Sequence, residues 1–375
     1  MRQSRGTPRN INQTILVKAT TTKRGFFSRK GYALVGAHSP QKGYAAYLST
    51  DLLPEGYCGI EQLEYSFLKN DIQENDLVLI HPDGRVSVVW EGGCSQNGLL
   101  LTEACDCRCL MCPQPPQKHD PGLLALAREI LGLLNPSDIK SLCLTGGEPA
   151  LLKDQLIDLL AHIRRRFDGI PVFLLTNGKG FADFDFAKRC ALASGGQVQY
   201  CVSLHADNDL DHDRIVGVPG SFEKTIKGIT NLARLRMPIE LRFVINRMNV
   251  DRMGQFADFA YRNFPFAVHV AFMAMEIRGL AEEHLEEIWI DPGDYGEQVR
   301  FAASRLAMRG MATSIYNMPL CLLPKAGWGL ARQSISEWKN AYLPQCQGCT
   351  EQNRCSGIFT SSSRQSTQIR PIRTE

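Results

Sequence analysis

Apolar and polar positions change their period along this chain. Over residues 1–95 the apolar residues come in short runs, at 14–17, 32–35, 76–80 and 86–90, which predict short strands. The segment DLVLIHPDGRVSVVW, starting at Asp76, predicts a hairpin with Pro82-Asp83-Gly84 as its turn. From about residue 97 to 276 the rhythm becomes strand, loop, helix, repeated. Strands are expected at 98–102, 140–145, 172–176, 198–204, 239–245 and 268–273, and helices at 123–134, 155–167 and 184–193. Another helix begins at Ser221, the expected N-cap, with Phe222, Ile226, Ile229 and Leu232 on one face. Units of roughly thirty residues in this alternation imply a parallel sheet with right-handed crossovers. Six of them suit an α/β fold, a partial (β/α)6 TIM barrel, in which chemistry sits on loops at the C-terminal ends of the strands. A helix at 295–308 and a strand at 313–316 follow. The expected organisation is a β-rich accessory domain at 1–95, the partial barrel at 96–300, a cysteine-rich extension at 301–360 and a disordered polar tail at 361–375.

Composition adds mostly exclusions. With 375 residues, 44% hydrophobic and 22% charged, the chain has the make-up of an ordinary soluble globular protein. A net charge of +3 is too weak to argue for nucleic acid or a membrane surface. Arg2, Arg5 and Arg9 are followed by no apolar run, so no signal peptide is expected. No stretch reaches the ~18 apolar residues of a membrane span. A cytoplasmic location is the expectation. For the accessory domain two roles stay open: packing against the barrel, or gripping a peptide by strand addition.

The cysteines carry the chemistry. There are thirteen, and most fall in two groups, which argues for metal rather than a disulfide frame. In LLLTEACDCRCLMCPQPP, from Leu99, the residues Cys105, Cys109 and Cys112 have spacing C-x3-C-x2-C. Three thiolates at that spacing hold three irons of a cubane and leave the fourth iron open to a small chelator, such as the amine and carboxylate of methionine. Cys107 offers a rival ligand and is taken as a bystander. Downstream, Gly146-Gly147-Glu148-Pro149 ends a strand. Its two glycines let backbone approach a ligand. The Gly146 carbonyl and Glu148 carboxylate can accept from an ammonium, and Pro149 fixes the turn into the next helix. Near the tail, Cys321 is followed by Cys346-x2-Cys349-x5-Cys355, four thiolates that can close a complete shell. Structural zinc competes at both sites, more strongly at the tail. His205 and His212 are expected as satisfied histidines rather than catalysts.

The cysteine triplet and GGEP together resemble the signature of the radical S-adenosylmethionine (SAM) superfamily. The resemblance implies a SAM-binding [4Fe–4S] cluster whose electron cleaves SAM, with no catalytic residue beyond the cluster. It places Thr176 and Ser203 at the methionine carboxylate or ribose, since Ser203-Leu204 is similar to a Ser-Leu pair of the superfamily. Arg242 either pairs with that carboxylate or is an ordinary barrel-lining charge. Met111 stands where many relatives carry an aromatic that touches adenine. The tail is similar to the twitch or SPASM extensions of peptide-modifying members, with Phe359 where a further SPASM cysteine would stand, which implies one auxiliary iron–sulfur cluster. The words ACxxxCLMCPQPP, SLHADNxxxHDxIVGVPGSFxKT and WK-x8-GCTEQxxCSGIF, within about residues 75–360, resemble the radical SAM maturase of the His-Xaa-Ser peptide system. That implies a precursor peptide with His-Xaa-Ser repeats, a second radical SAM maturase and an electron donor of flavodoxin or ferredoxin type as partners. Two alternatives stand beside it: a radical SAM enzyme acting on a small molecule, as in molybdenum cofactor synthesis, and a zinc-binding interaction protein.

Overall fold

The computed structural model describes residues 2–36, 41–118, 122–333 and 340–373. The chain divides into two compact units, Met1–Gly98 with Ala125–Lys140, and Leu99–Leu124 with Ser141–Glu375. Trp338 and Lys339 of the tail word lie outside the described residues.

Among the described residues the first unit has eight strands: β1 Gln3–Arg5, β2 Thr7–Arg9, β3 Ile15–Thr20, β4 Tyr32–Val35, β5 Ala46–Leu48, β6 Gly59–Glu61, β7 Leu77–Ile80 and β8 Arg85–Trp90. The four apolar runs are β3, β4, β7 and β8, while β1, β2, β5 and β6 are three-residue strands too short for a pattern to show. They form one mixed sheet in the order β1-β8-β7-β3-β4-β5-β6-β2. One face buries Val17, Ala19, Leu48, Ile60, Val78, Ile80 and Val86 in a common core. The β7–β8 hairpin closes as its sequence dictates. Gly84 donates to the His81 carbonyl at 3.0 Å, His81 donates to the Arg85 carbonyl at 2.9 Å, and Gly84 takes the left-handed φ of +87° that a three-residue hairpin loop needs. The end strands β1 and β2 are consecutive in the chain. Residues 3–9 therefore cover the edge of β8 with one half and the edge of β6 with the other, while Gly6 donates to the Gly84 carbonyl at 3.0 Å. Neither covered edge is open to strand addition. Most of helix α1 (Leu123–Leu133) also belongs to this unit and buries Ala127, Ile130 and Leu131.

In the second unit, strands β9 Asn97–Leu100, β10 Leu142–Thr145, β11 Val172–Thr176, β12 Val198–Ser203, β13 Ile239–Val244, β14 His269–Met273, β15 Thr313–Tyr316 and β16 Ala331–Arg332 lie side by side in chain order. Pairing from β10 to β16 is parallel throughout. The helices are α2 Asp154–Arg166, α3 Phe184–Ser194, α4 Asp209–Val216, α5 Ser221–Arg234, α6 Met253–Asn263, the short turns α7 Leu280–Glu283 and α8 Leu285–Ile288, and α9 Gly296–Ala307. The result is α/β with an open parallel sheet, consistent with a partial barrel.

The second unit departs from the sequence pattern in four places. The sheet has eight strands: the six of the repeat are extended by the strand expected at 313–316, which is β15, and by β16, which the pattern does not show. Those last two are joined through 3-10 turns (Leu320–Leu322 and Lys325–Leu330), which give no helical period to detect. Helices α4 and α6 are additional. Ser221 is the first helical residue rather than the cap. The preceding Gly220 has φ of +72°, and Asp213 from α4 accepts the Gly220 and Phe222 N–H groups at 2.5 and 2.7 Å. Residues 361–373, expected as a disordered tail, are docked. Ser363 donates to the Ile277 carbonyl at 3.0 Å, Gln368 to Asp294 at 2.7 Å, and Ile369 is buried. A polar composition predicts disorder only when no partner surface exists, and here the Ile277 backbone and the Asp291 and Asp294 carboxylates supply one. Among the described residues no helix is long and apolar enough to cross a membrane.

Candidate functional site

The first cysteine group occupies the loop after β9, and backbone hydrogen bonds fix that loop from three sides. Against the β10 turn, Leu101 donates to the Thr145 carbonyl, Gly147 to Thr102 and Glu148 to Ala104, each at 2.8 Å. Against α4, Arg108 donates to the Val216 carbonyl at 2.9 Å and Leu110 to Ile215 at 3.0 Å. From the loop after β14, Leu280 donates to the Cys112 carbonyl at 3.0 Å. Both glycines of the β10 turn are obligatory for this closeness. A Cβ on Gly146 would strike the Thr102 carbonyl, and one on Gly147 the Ala104 carbonyl. Cysteine loop and GGEP turn are thus one hydrogen-bonded assembly.

Glu148 is the polar centre of that assembly. It is fully buried, and its carboxylate accepts from the Thr176 hydroxyl at 2.7 Å, the Asn177 N–H at 2.6 Å and the Ala150 N–H at 2.9 Å. Burial raises its pKa to about 7 against the pull of those three bonds. A carboxylate offers about four lone-pair positions. Three are used, which leaves one acceptor position for a cation. Pro149 starts a 3-10 turn, Pro149–Leu152, as the fixed φ of proline favours.

Other expected site residues fall at the same end of the sheet with different partners. Thr176 spends its hydroxyl proton on Glu148 and accepts from Gly178 at 3.0 Å. Only 4% exposed, it orients the carboxylate instead of reaching a ligand itself. Ser203 is half-buried at the end of β12, in register with Arg242 of β13. Arg242 lies 3.5 Å from Glu240 and 3.3 Å from the Met273 sulfur. Met111 is 6% exposed and packs with Ile215, Ala281 and Ile288. His205 and His212 are buried and act as acceptors, Val244 donating to His205 Nδ1 at 3.3 Å and His205 to His212 Nδ1 at 3.2 Å. Burial lowers their pKa values to about 3 and about 4.

Asn177 and Lys179 join the site without having been singled out in the sequence, and Cys107, taken there as a bystander, lies within it. Cys107 is 3% exposed and its thiol faces inward, within hydrogen-bonding reach of the Cys105 and Cys109 thiols, while Asn177 Nδ2 stands 3.5 Å away. Bonds from Cys105 and Cys109, then the Lys179 ammonium, push the Cys107 pKa down, and the same bonds together with burial push Cys105 and Cys109 up. Lys179 also pairs with Asp106 at 3.0 Å. The Asn177-Gly178-Lys179 run directly after a strand end was the available signal.

The second cysteine group surrounds a recess lined by Cys321, Cys346, Cys349 and Cys355. Backbone N–H groups already point at the sulfurs: Leu320 and Gly357 to Cys355 at 3.3 and 3.4 Å, and Ile372 to Cys349 at 3.3 Å. Burial raises the Cys321 and Cys355 pKa values. Among the described residues the one trio of ligand atoms within 4.8 Å of each other is Cys105, Asp106 and Cys107. No three of the recess sulfurs lie within 4.8 Å of one another, and the same holds for Cys105, Cys109 and Cys112.

Comparison with known proteins agrees with this geometry. Residues 99–260 match the radical SAM superfamily. A probable GTP 3',8-cyclase of Saccharolobus islandicus is 30% identical over 163 residues, 43% of this chain and 51% of that protein. The chain thus spans about half the length of the first curated relatives it matches. A probable GTP 3',8-cyclase of Saccharolobus solfataricus is 30% identical over 254 residues, 67% of this chain and 76% of the relative. Streptococcus suis SuiB aligns with a TM-score of 0.45 at 15% identity, over 58% of this chain and 48% of SuiB. With the superfamily's match lying over the cysteine loop and GGEP turn, and a 30%-identical relative covered across 76% of its length, the chain belongs to the radical SAM superfamily.

Proposed function

We propose that this protein is a radical SAM enzyme that modifies a ribosomally made peptide of the His-Xaa-Ser type, in the cytoplasm, with a second maturase and a flavodoxin- or ferredoxin-type donor as partners. The observation that carries the radical SAM activity is the hydrogen-bonded union of the cysteine loop with the GGEP turn. The superfamily's cofactors are a [4Fe–4S] cluster and SAM, and the donor set suits both. Cys105, Cys109 and Cys112 would hold three irons. The Gly146 carbonyl and the open position on Glu148 would take the methionine ammonium, with Thr176 orienting the carboxylate. Ser203, with Arg242 opposite, is the candidate for the methionine carboxylate or ribose, and Met111 for an adenine contact. When bound, these cofactors supply a 5'-deoxyadenosyl radical that abstracts hydrogen from the substrate. The protein's own part is to position them and to exclude water.

For the tail we propose one auxiliary iron–sulfur cluster on Cys321, Cys346, Cys349 and Cys355. The recess that the four cysteines line and the N–H groups aimed at their sulfurs support a thiolate-held group there, and iron–sulfur is favoured over zinc because the same chain carries the superfamily's cluster motif. A complete four-thiolate shell leaves no metal position for a substrate, which favours a peptide held elsewhere over a small molecule bound to that metal. The second reading, a small-molecule substrate, draws on the relatives named as GTP 3',8-cyclases. Mass spectrometry of a His-Xaa-Ser precursor co-expressed with this protein separates them: a mass change dependent on Cys109 supports the peptide, whereas turnover of GTP with an unchanged peptide overturns it.

A further inference from the structure

We propose that Cys107 is a fourth, exchangeable thiolate for the iron that Cys105, Cys109 and Cys112 leave open, held there until the methionine of SAM displaces it. This rests on the radical SAM reading and assigns a ligand that the C-x3-C-x2-C spacing does not require.

The geometry excludes a bystander. A cysteine in the middle of an exposed metal loop is expected to point away, yet Cys107 is 3% exposed. Its thiol lies between those of Cys105 and Cys109, with the Cys105 ligand atom inside 4.8 Å. Its own N–H donates to Cys105 Sγ at 3.4 Å, which draws the two sulfurs to one side of the loop. Two groups then suit a thiolate that spends part of its time off the metal. Asn177 Nδ2 is 3.5 Å from the sulfur, and Lys179 Nζ reaches it while anchored on the Asp106 carbonyl oxygen at 2.9 Å. Lys179 is itself 8% exposed, so its charge is not simply dissipated in water.

With the cluster bound, a soft thiolate held beside the Cys105 and Cys109 sulfurs and facing Asn177 would ligate the iron that the three cysteines leave open. The exchange moves no electron. The iron–sulfur bond to Cys107 breaks as the iron takes the amine nitrogen and a carboxylate oxygen of methionine, and the freed thiolate keeps the Lys179 ammonium and the Asn177 amide as partners. The consequence is a protected resting state: without SAM the fourth iron is capped against loss and oxidation, and apparent SAM affinity is reduced by the fraction of capped sites.

The test compares the full chain, wild type and Cys107→Ala, each reconstituted anaerobically with iron and sulfide. Both are treated with ferricyanide in the absence of SAM and examined by EPR for the three-iron cluster that forms when the open-corner iron is lost. The C-terminal site is common to both proteins and cancels from the comparison. The proposal expects several-fold more three-iron signal in Cys107→Ala, and a several-fold lower Kd for SAM in the same variant. Equal three-iron signals overturn it. Failure of Cys107→Ala to assemble any cluster at the first site also overturns it, by making Cys107 an obligatory ligand. Zinc without iron in both proteins would overturn this proposal together with the radical SAM reading, an outcome distinct from the other two.

Discussion

At the scale of single residues, the site depends on how one buried carboxylate is held. Glu148 is fixed by Thr176, Asn177 and Ala150, and the Thr176 hydroxyl has no second task beyond accepting from Gly178. Thr176→Val keeps the shape and removes that bond. A hydrogen bond to a charged acceptor contributes about 1.5–3 kcal/mol, so SAM affinity measured by equilibrium dialysis falls by roughly ten- to a hundredfold; an unchanged affinity would show that Glu148 needs no such support. His205 and His212 give a pH prediction. An unfolded imidazole takes its proton near 6.5, while burial keeps His212 neutral down to about 4 and His205 down to about 3. The unfolded chain therefore binds more protons between those limits. The stabilisation is complete above pH 6.5 and is lost as pH falls through about 4. His212→Asn retains an acceptor for the His205 N–H, and the slope of stability against pH between 6.5 and 4 should drop by about one proton. A slope identical to wild type would contradict the assignment.

At the scale of elements, α4 and the tail do what their sequences did not announce. Strands such as β11, and the Pro82-Asp83-Gly84 hairpin, were legible because alternation, turn chemistry and length agree there. The GGEP turn and the cysteine triplet were legible through residue type and spacing. Helix α4 was not: eight residues with Asp at three of them show little apolar period, and only Asn208 as cap and Gly217 as stop betray it. Yet its last turn holds Arg108 and Leu110 of the cysteine loop, and a Cβ on Gly217 would meet the Arg108 carbonyl at 2.6 Å. The inward thiol of Cys107 was equally invisible, because spacing fixes which cysteines can ligate but not where a spare one turns. The docked tail depends on long-range backbone bonds that no local pattern encodes. Two predictions belong here. Gly147→Ala forces the cysteine loop away from the turn at a cost of about 1–3 kcal/mol, and iron retained at the first site after gel filtration falls with it. Deleting residues 361–375 removes the Ile372 N–H from Cys349 and one wall of the recess, so iron per chain falls by one cluster while the first site keeps its metal. Full retention at both sites would contradict the role given to the tail.

At the scale of the whole molecule, the chain couples a sheet whose β6 and β8 edges are covered to an open parallel sheet carrying both cysteine groups. The covered edges remove strand addition at β6 and β8 from the ways the first unit could hold a peptide. Ala125–Lys140 belongs to that same unit, so a cut near residue 98 divides it instead of excising it. Substitutions on the surface of the first unit are therefore the cleaner way to separate peptide recognition from SAM cleavage. Everything proposed for this protein requires that Cys105, Cys109 and Cys112 carry an iron–sulfur cluster able to cleave SAM. The direct measurement is 5'-deoxyadenosine formed by the anaerobically reconstituted full chain with SAM and a strong reductant, against Cys109→Ala treated identically. 5'-Deoxyadenosine is expected from the wild type and none above background from the variant; equal formation by the two, or zinc in place of iron with none from either, would contradict the cluster assignment.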